Sequence, residues 1–94
     1  ARVHVVRLVL DTFGQDARLF LAIGKAESGL RCNAVGDNGD SIGVFQINKA
    51  HFSKWSRESL FDCETNVKAA YQIFKTSGPW PWSVYKWGRH LEWL

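Results

Sequence analysis

The chain is 94 residues long, with 46% hydrophobic and 22% charged side chains and a formal net charge of +3. That describes one ordinary globular domain, without low-complexity tract, internal repeat or charge block. No apolar run approaches the length of a helical membrane span, no secretory signal is present, and the basic residues do not gather on one predicted face, which argues against nucleic acid.

Residues 2–13 place Val3, Val6, Leu10 and Phe13 at helical spacing, although the cluster of β-branched Val also suits a strand. Gly14 supplies a stop, and Asp16 is an N-cap candidate for a second helix over about 17–28. In that helix Leu19, Ala22, Ile23, Ala26 and Leu30 recur at three- and four-residue steps, the mark of one buried face. Gly29 is placed to end it in a left-handed conformation, with Leu30 folding back on the last turn. From Cys32 to Asn48 the character changes. Asp37-Asn38-Gly39-Asp40 reads as a tight hairpin turn, and Ser41 to Asn48 as the returning strand and its exit. Residues 49–61 read as short helical turns. Asp62 caps a third helix, about 63–76, with Cys63, Val67, Ala70 and Phe74 on one face and Gly78-Pro79 as its stop. The tail, 80–94, holds four of the five Trp residues, and these read as core packing.

Within this outline Glu27 is the most informative residue. It projects from the edge of the apolar stripe, in the last turn of its helix, where the dipole presents its negative end. Partial burial and that dipole both disfavour the carboxylate and raise its pKa, which suits a general acid. The bland alternative is a Glu snorkelling at a helix end. Cys32 and Cys63 flank two helix ends. A disulfide closing about thirty residues stabilises a domain by roughly 3–4 kcal/mol in the chain-entropy model and implies an oxidising compartment; the alternative is two buried thiols. Other chemistries fall away. The His residues are scattered, with no HExxH or Cys-x-x-Cys, and Asp37, Asn38 and Asp40 lack the spaced ligands and closing Glu of a calcium loop. No metal and no cofactor is expected. The chain begins at Ala1 and lacks Met, which fits a processed or excised domain, though a cloning boundary looks the same.

Glu27-Ser28 followed by Gly43-Val44-Phe45-Gln46-Ile47-Asn48 resembles the lysozyme-like superfamily, which includes c-type and goose-type lysozymes and soluble lytic transglycosylases. The compact hairpin, Leu60-Phe61-Asp62, Asn66-Val67 and Gly78-Pro79-Trp80-Pro81-Trp82-Ser83-Val84-Tyr85 are closer to the bacterial transglycosylase pattern. The resemblance covers about 17–87 and implies one α+β, mainly α, lysozyme-like domain over 1–94, with a small β-hairpin beside the catalytic helix. It further implies cleavage of the β-1,4 bond between N-acetylmuramic acid and N-acetylglucosamine in peptidoglycan, by a secreted, periplasmic or virion-associated monomer. Glu27 is then the acid and base. Gln46 and Asn48 hydrogen-bond the sugars, and main-chain groups from Ser41 to Gly43 cradle the reacting ring. Ser28 supports the helix end, and Tyr71 either reaches the cleft or packs in the core.

One position departs from the c-type pattern. Where an Asp stands two residues before the Gly of the strand, this chain has Ser41, and Asp40 lies one residue earlier. On a continuous strand that offset turns Asp40 to the opposite face. Asp37, across the turn, is the second candidate. Transglycosylases manage with one Glu, the substrate's own 6-hydroxyl attacking to give an anhydro-muramyl end, and the pattern here leans that way. The alternatives are hydrolysis with Asp40 or Asp37 as second carboxylate, or a non-catalytic peptidoglycan-binding module.

Overall fold

The computed structural model describes residues 2–94. Helix α1 (Arg2–Phe13) runs through a short 3-10 turn into α2 (Ala17–Ser28). Three two-residue strands follow, β1 (Val35–Gly36), β2 (Ser41–Ile42) and β3 (Ile47–Asn48). Beyond two 3-10 turns come α3 (Cys63–Ser77), the single turn α4 (Ser83–Lys86) and a closing 3-10 segment, Arg89–Trp93. This is the mainly helical α+β layout that the sequence implies.

Why α1 is a helix rather than a strand is settled by which residues it buries. Val5, Val9 and Phe13 are buried, whereas Val3 and Leu10 are exposed, so the apolar stripe is a four-residue repeat displaced from the one read in sequence. Helix α2 starts after Asp16, but the Asp16 side chain makes no cap hydrogen bond. The preceding 3-10 turn already leads into the helix, which leaves that cap little to satisfy. At the other end Gly29 is left-handed at φ 68°, and its N–H donates to the Gly24 and Lys25 carbonyls. Leu30 is left-handed as well, at φ 62°, so the chain turns away from the helix within two residues. Helix α3 begins on a working cap, since the Asp62 carboxylate accepts from the Thr65 backbone N–H and hydroxyl. These bonds hold the Asp62 carboxyl below its ordinary pKa.

The strands pair in the order β1-β2-β3, both pairs antiparallel. One returning strand over 41–48 is therefore not what forms. After Ile42 the backbone leaves the ladder at Gly43 (φ 81°), turns through Val44 and Phe45, and rejoins at Ile47 after a left-handed Gln46 (φ 49°). The cause lies in α3. Asn66 is fully buried and donates from Nδ2 to the Ile42 and Leu60 carbonyls at 2.8 and 2.9 Å, while its Oδ1 accepts from the Phe45 N–H at 3.0 Å. A Cβ at position 43 collides with that amide and with the Leu60 carbonyl. The turn drives Phe45 into an aromatic cluster with Phe13, Phe20 and Trp82. Ser28 Oγ and Trp82 Nε1 donate to the turn's carbonyls at Val44 and Phe45. The Ile42, Val44 and Phe45 carbonyls and the Phe45 N–H thus meet side-chain partners inside the core. Asn66→Ala removes three hydrogen bonds in a dry site, those to the Ile42 and Leu60 carbonyls and that from the Phe45 N–H. It is expected to destabilise the domain by about 2–4 kcal/mol, read as a lower urea midpoint with an unchanged slope.

Cys32 and Cys63 are joined in a disulfide with Cα atoms 5.2 Å apart. It ties the exit of α2 to the start of α3, the two helices that Asn66 and Ser28 also connect through the turn. Reduction is expected to cost about 3–4 kcal/mol, measured as the difference between denaturant curves with and without reductant. The C-terminal Trp residues correct the reading from sequence. Trp82 is buried, but Trp80, Trp87 and Trp93 are 64%, 73% and 46% exposed. Among the described residues no helix is long and apolar enough to cross a membrane.

Candidate active site

Because Gly29 and Leu30 turn the chain sharply, Glu27 ends on the rim of an open cleft of about 370 Å3 between the sheet and the Pro81–Ser83 segment. Its surroundings are half dry. Burial first, then the charge of Asp37, push the Glu27 carboxyl up to about 7 from its ordinary 4.5, and the Arg89 guanidinium pulls it partway back. A carboxylic acid that keeps its proton near neutrality can donate it to a leaving oxygen.

Across the cleft stands Asp37, and its position follows from the turn. Asp37, Asn38 and Gly39 are all left-handed, with φ of 51°, 57° and 96°. Asp and Asn tolerate this conformation better than other side-chain residues, and Gly adopts it freely. The run folds Asp37 back over β2, where Ser41 Oγ donates to its Oδ2 at 2.6 Å. Ser41 in turn accepts from Asn48 Nδ2 at 3.4 Å across the β2–β3 ladder. Ser41 occupies the place where the family pattern leads one to expect an acid, and here its hydroxyl holds an acid supplied by the neighbouring turn. Asp40 goes elsewhere. Its carboxylate pairs with Lys49 at 3.3 Å in a solvent-exposed bridge, and it does not line the cleft. The broken strand makes simple alternation a poor guide to Asp37. Its placement is set by three left-handed residues, not by β-register.

The remaining candidates separate into two groups. Ser41, Gln46 and Asn48 line the cleft with Glu27 and Asp37. Gln46 is partly committed already, since its Nε2 donates to the Gly43 carbonyl at 3.0 Å and reaches the Ala34 carbonyl at 3.4 Å. Ser28, Gly43 and Tyr71 do not line it. Ser28 is buried and fastens the end of α2 to Val44, Gly43 makes room for Asn66, and Tyr71 packs edge-on against Phe13 with ring centroids 5.3 Å apart. Their contribution is to the frame. Residues that sequence reasoning missed are Ile47, Ala50, His51, Ile73, Pro81, Trp82 and Ser83, all on the cleft wall. Of these, Ile47 lies in the Gly43–Asn48 run and Pro81, Trp82 and Ser83 in the Gly78–Tyr85 stretch, the two runs that carried a signal. Among the described residues no three His, Cys, Asp or Glu side chains are grouped to share a cation.

A small antiparallel sheet facing the acidic end of one helix, on an otherwise helical body, is the lysozyme-like fold. The chain belongs to the lysozyme-like domain family, whose family model matches residues 9–84. No curated protein and no solved structure matches it. Membership of that family points to action on peptidoglycan as a muramidase or transglycosylase. The disulfide fits action in an oxidising compartment outside the cell.

Proposed function

We propose that this domain is a peptidoglycan muramidase that works by hydrolysis, with Glu27 as general acid and Asp37 as the second carboxylate. The observation that carries the reading is that Glu27 and Asp37 line the same cleft, close enough for the charge of one to act on the pKa of the other. The sequence pattern leans to a single-Glu transglycosylase, and the position of Asp37 is what tips the balance. Protonated Glu27 gives its proton to the glycosidic oxygen as the bond to the muramyl anomeric carbon breaks. Asp37, ionised and anchored through Oδ2 to Ser41, keeps its other oxygen for the positive charge that develops on the ring or for a proton of the attacking water. Asn48 and main-chain groups of β2 and β3 orient the acetamido and hydroxyl groups. Asp40 has no part in the chemistry.

The test is the end group. Mass spectrometry of muropeptides released from purified peptidoglycan should find reducing muramyl ends. Anhydro-muramyl ends as the main product make the domain a single-Glu transglycosylase, and binding without release makes it a binding module.

A further inference from the structure

A second open groove of about 330 Å3 lies between the end of α2 and the C-terminal segment. Lys25 and Ala26, the residues just before Glu27 on α2, form one wall, and Arg89, Glu92 and Trp93 of the C-terminal segment form the other. That segment is fixed in place. It packs along α2, and Arg18 Nη2 donates to the Leu94 carbonyl at 2.8 Å. Lys25 Nζ lies 5.2 Å from the centre of the Trp93 ring. Among the described residues neither Lys25 nor Arg89 is in an ion pair, with Glu92 or with any other carboxylate. A lysine in the last turn of a helix needs no ligand, since it complements the dipole. That explanation does not extend to Arg89 and the half-exposed Trp93, which come from a different element and converge on the same groove.

We propose that this groove binds the carboxylate-bearing stem peptide of a muramyl residue near the scissile bond, with Lys25 and Arg89 as the anion contacts and Trp93 as the apolar floor. The inference rests on the muramidase reading. Ala26 of the groove directly precedes Glu27, and Arg89 is near enough to act on the Glu27 carboxyl, so an occupant of the groove lies within reach of the strand held at the acid. In peptidoglycan the anionic groups of that strand are the peptide carboxylates carried on the muramyl lactyl ether, and the sugar ring has none. Two unpaired cations against one acid leave the groove positively charged, and an aromatic face beside them suits a short peptide that is part methyl and part carboxylate.

The experiment compares cleavage of intact, phosphate-polymer-free peptidoglycan with cleavage of glycan strands stripped of their peptides by an amidase. The wild type is expected to cleave the peptide-bearing strands about two- to fivefold faster at low salt, the size of an exposed ion-pair contribution. In Lys25→Glu and Arg89→Ala the ratio should fall to near one. Reading a ratio cancels any effect of Arg89 on Glu27, because both substrates use the same acid. Circular dichroism checks that each variant is folded. A wild-type ratio of one, or a preference that survives both substitutions, overturns the peptide groove and leaves the muramidase reading standing. If neither substrate is cleaved, the muramidase reading fails, and NMR titration with a soluble muramyl tripeptide decides the groove. Shifts at the Trp93 indole that vanish in Lys25→Glu support it, and no shift at that indole overturns it.

Discussion

Glu27→Gln is expected to leave the domain folded and to lower peptidoglycan cleavage by at least about 10²–10⁴-fold, the usual scale for loss of a general acid. The amide has the shape of the carboxyl but cannot give up a proton to the glycosidic oxygen. Retained activity above roughly a tenth of wild type removes Glu27 from the reaction, whatever the fold. The wild-type pH profile supplies a second check. With the Glu27 carboxyl raised to about 7, activity should fall as the pH rises through that value. Stability gives a third, with a defined sign. The folded state holds the Glu27 proton more tightly than the unfolded chain, whose carboxyl titrates near 4.5. The contribution of Glu27 to stability is therefore full below about 4.5 and is lost as the pH rises through about 7. The Gln variant lacks that slope, so it should gain on the wild type above neutrality while losing catalysis. A variant less stable than the wild type at pH 8 contradicts the partly dry site assigned to Glu27.

How much of this was legible in the sequence depends on what each residue responds to. Helix α2 and its stop were readable because period and left-handed Gly29 are local properties. Glu27 was readable for the same reason, since its exposure follows from its place on that helix. The segment 41–48 was misread as continuous strand because Val44 and Phe45 suit a strand by propensity, and tertiary contacts overrode it. Asn66, more than twenty positions away on α3, takes the hydrogen bonds that the ladder otherwise supplies. An Asn in the middle of an apolar helix face was itself the available signal, because Asn is a poor helix former and must be satisfied when buried. The tail was misread because aromatic content does not say which rings point inward. Trp82 is held in by its bond to the Phe45 carbonyl, whereas Trp80, Trp87 and Trp93 stand at the surface.

The placement of Asp37 also shows why spacing alone could not choose between Asp37 and Asp40 as the cleft-lining carboxylate. Asp37 and Gln46 are both non-glycine residues in left-handed conformations and both line the cleft. Each costs of order 1 kcal/mol locally, which persists only where the surrounding structure enforces it. For Asp37 the enforcement is the hydrogen bond from Ser41 together with the Asp40 N–H, which donates to the Asp37 carbonyl at 3.1 Å. For Gln46 it is the Gly43 carbonyl, which accepts from both its backbone and its side chain. Gly36 completes the arrangement, because any Cβ there collides with the Gln46 side-chain oxygen. The cleft floor is thus built from local hydrogen bonds that hold left-handed residues in place, with the close approach of Gly36 to Gln46 joining the two turns.

Asp37→Asn is the substitution on which the reaction type turns. If Asp37 is the second carboxylate, the Asn variant should lose on the order of 10²-fold in cleavage, since it keeps the Ser41 contact but not the negative charge. Asp40→Asn should keep nearly all activity, because it only breaks an exposed pair with Lys49 worth about 1 kcal/mol or less. The same comparison carries a signature that a purely structural loss does not reproduce. The charge of Asp37 helps hold the Glu27 pKa up, so in Asp37→Asn the falling limb of the pH profile should move to lower pH. In Asp40→Asn it should stay in place. Ser41→Ala belongs between the two, because it frees the Asp37 side chain without removing its charge, and a smaller loss of rate with little movement of the limb is expected. If instead Glu27 acts alone, the substrate's 6-hydroxyl attacks intramolecularly, with an effective concentration no external water matches. Asp37→Asn then retains most of its activity, and the released muropeptides end in anhydro-muramyl residues in both the variant and the wild type. Loss of activity in Asp37→Asn with reducing ends from the wild type fixes hydrolysis. The reverse pair of results fixes the single-Glu route and returns Asp37 to the role of a turn residue.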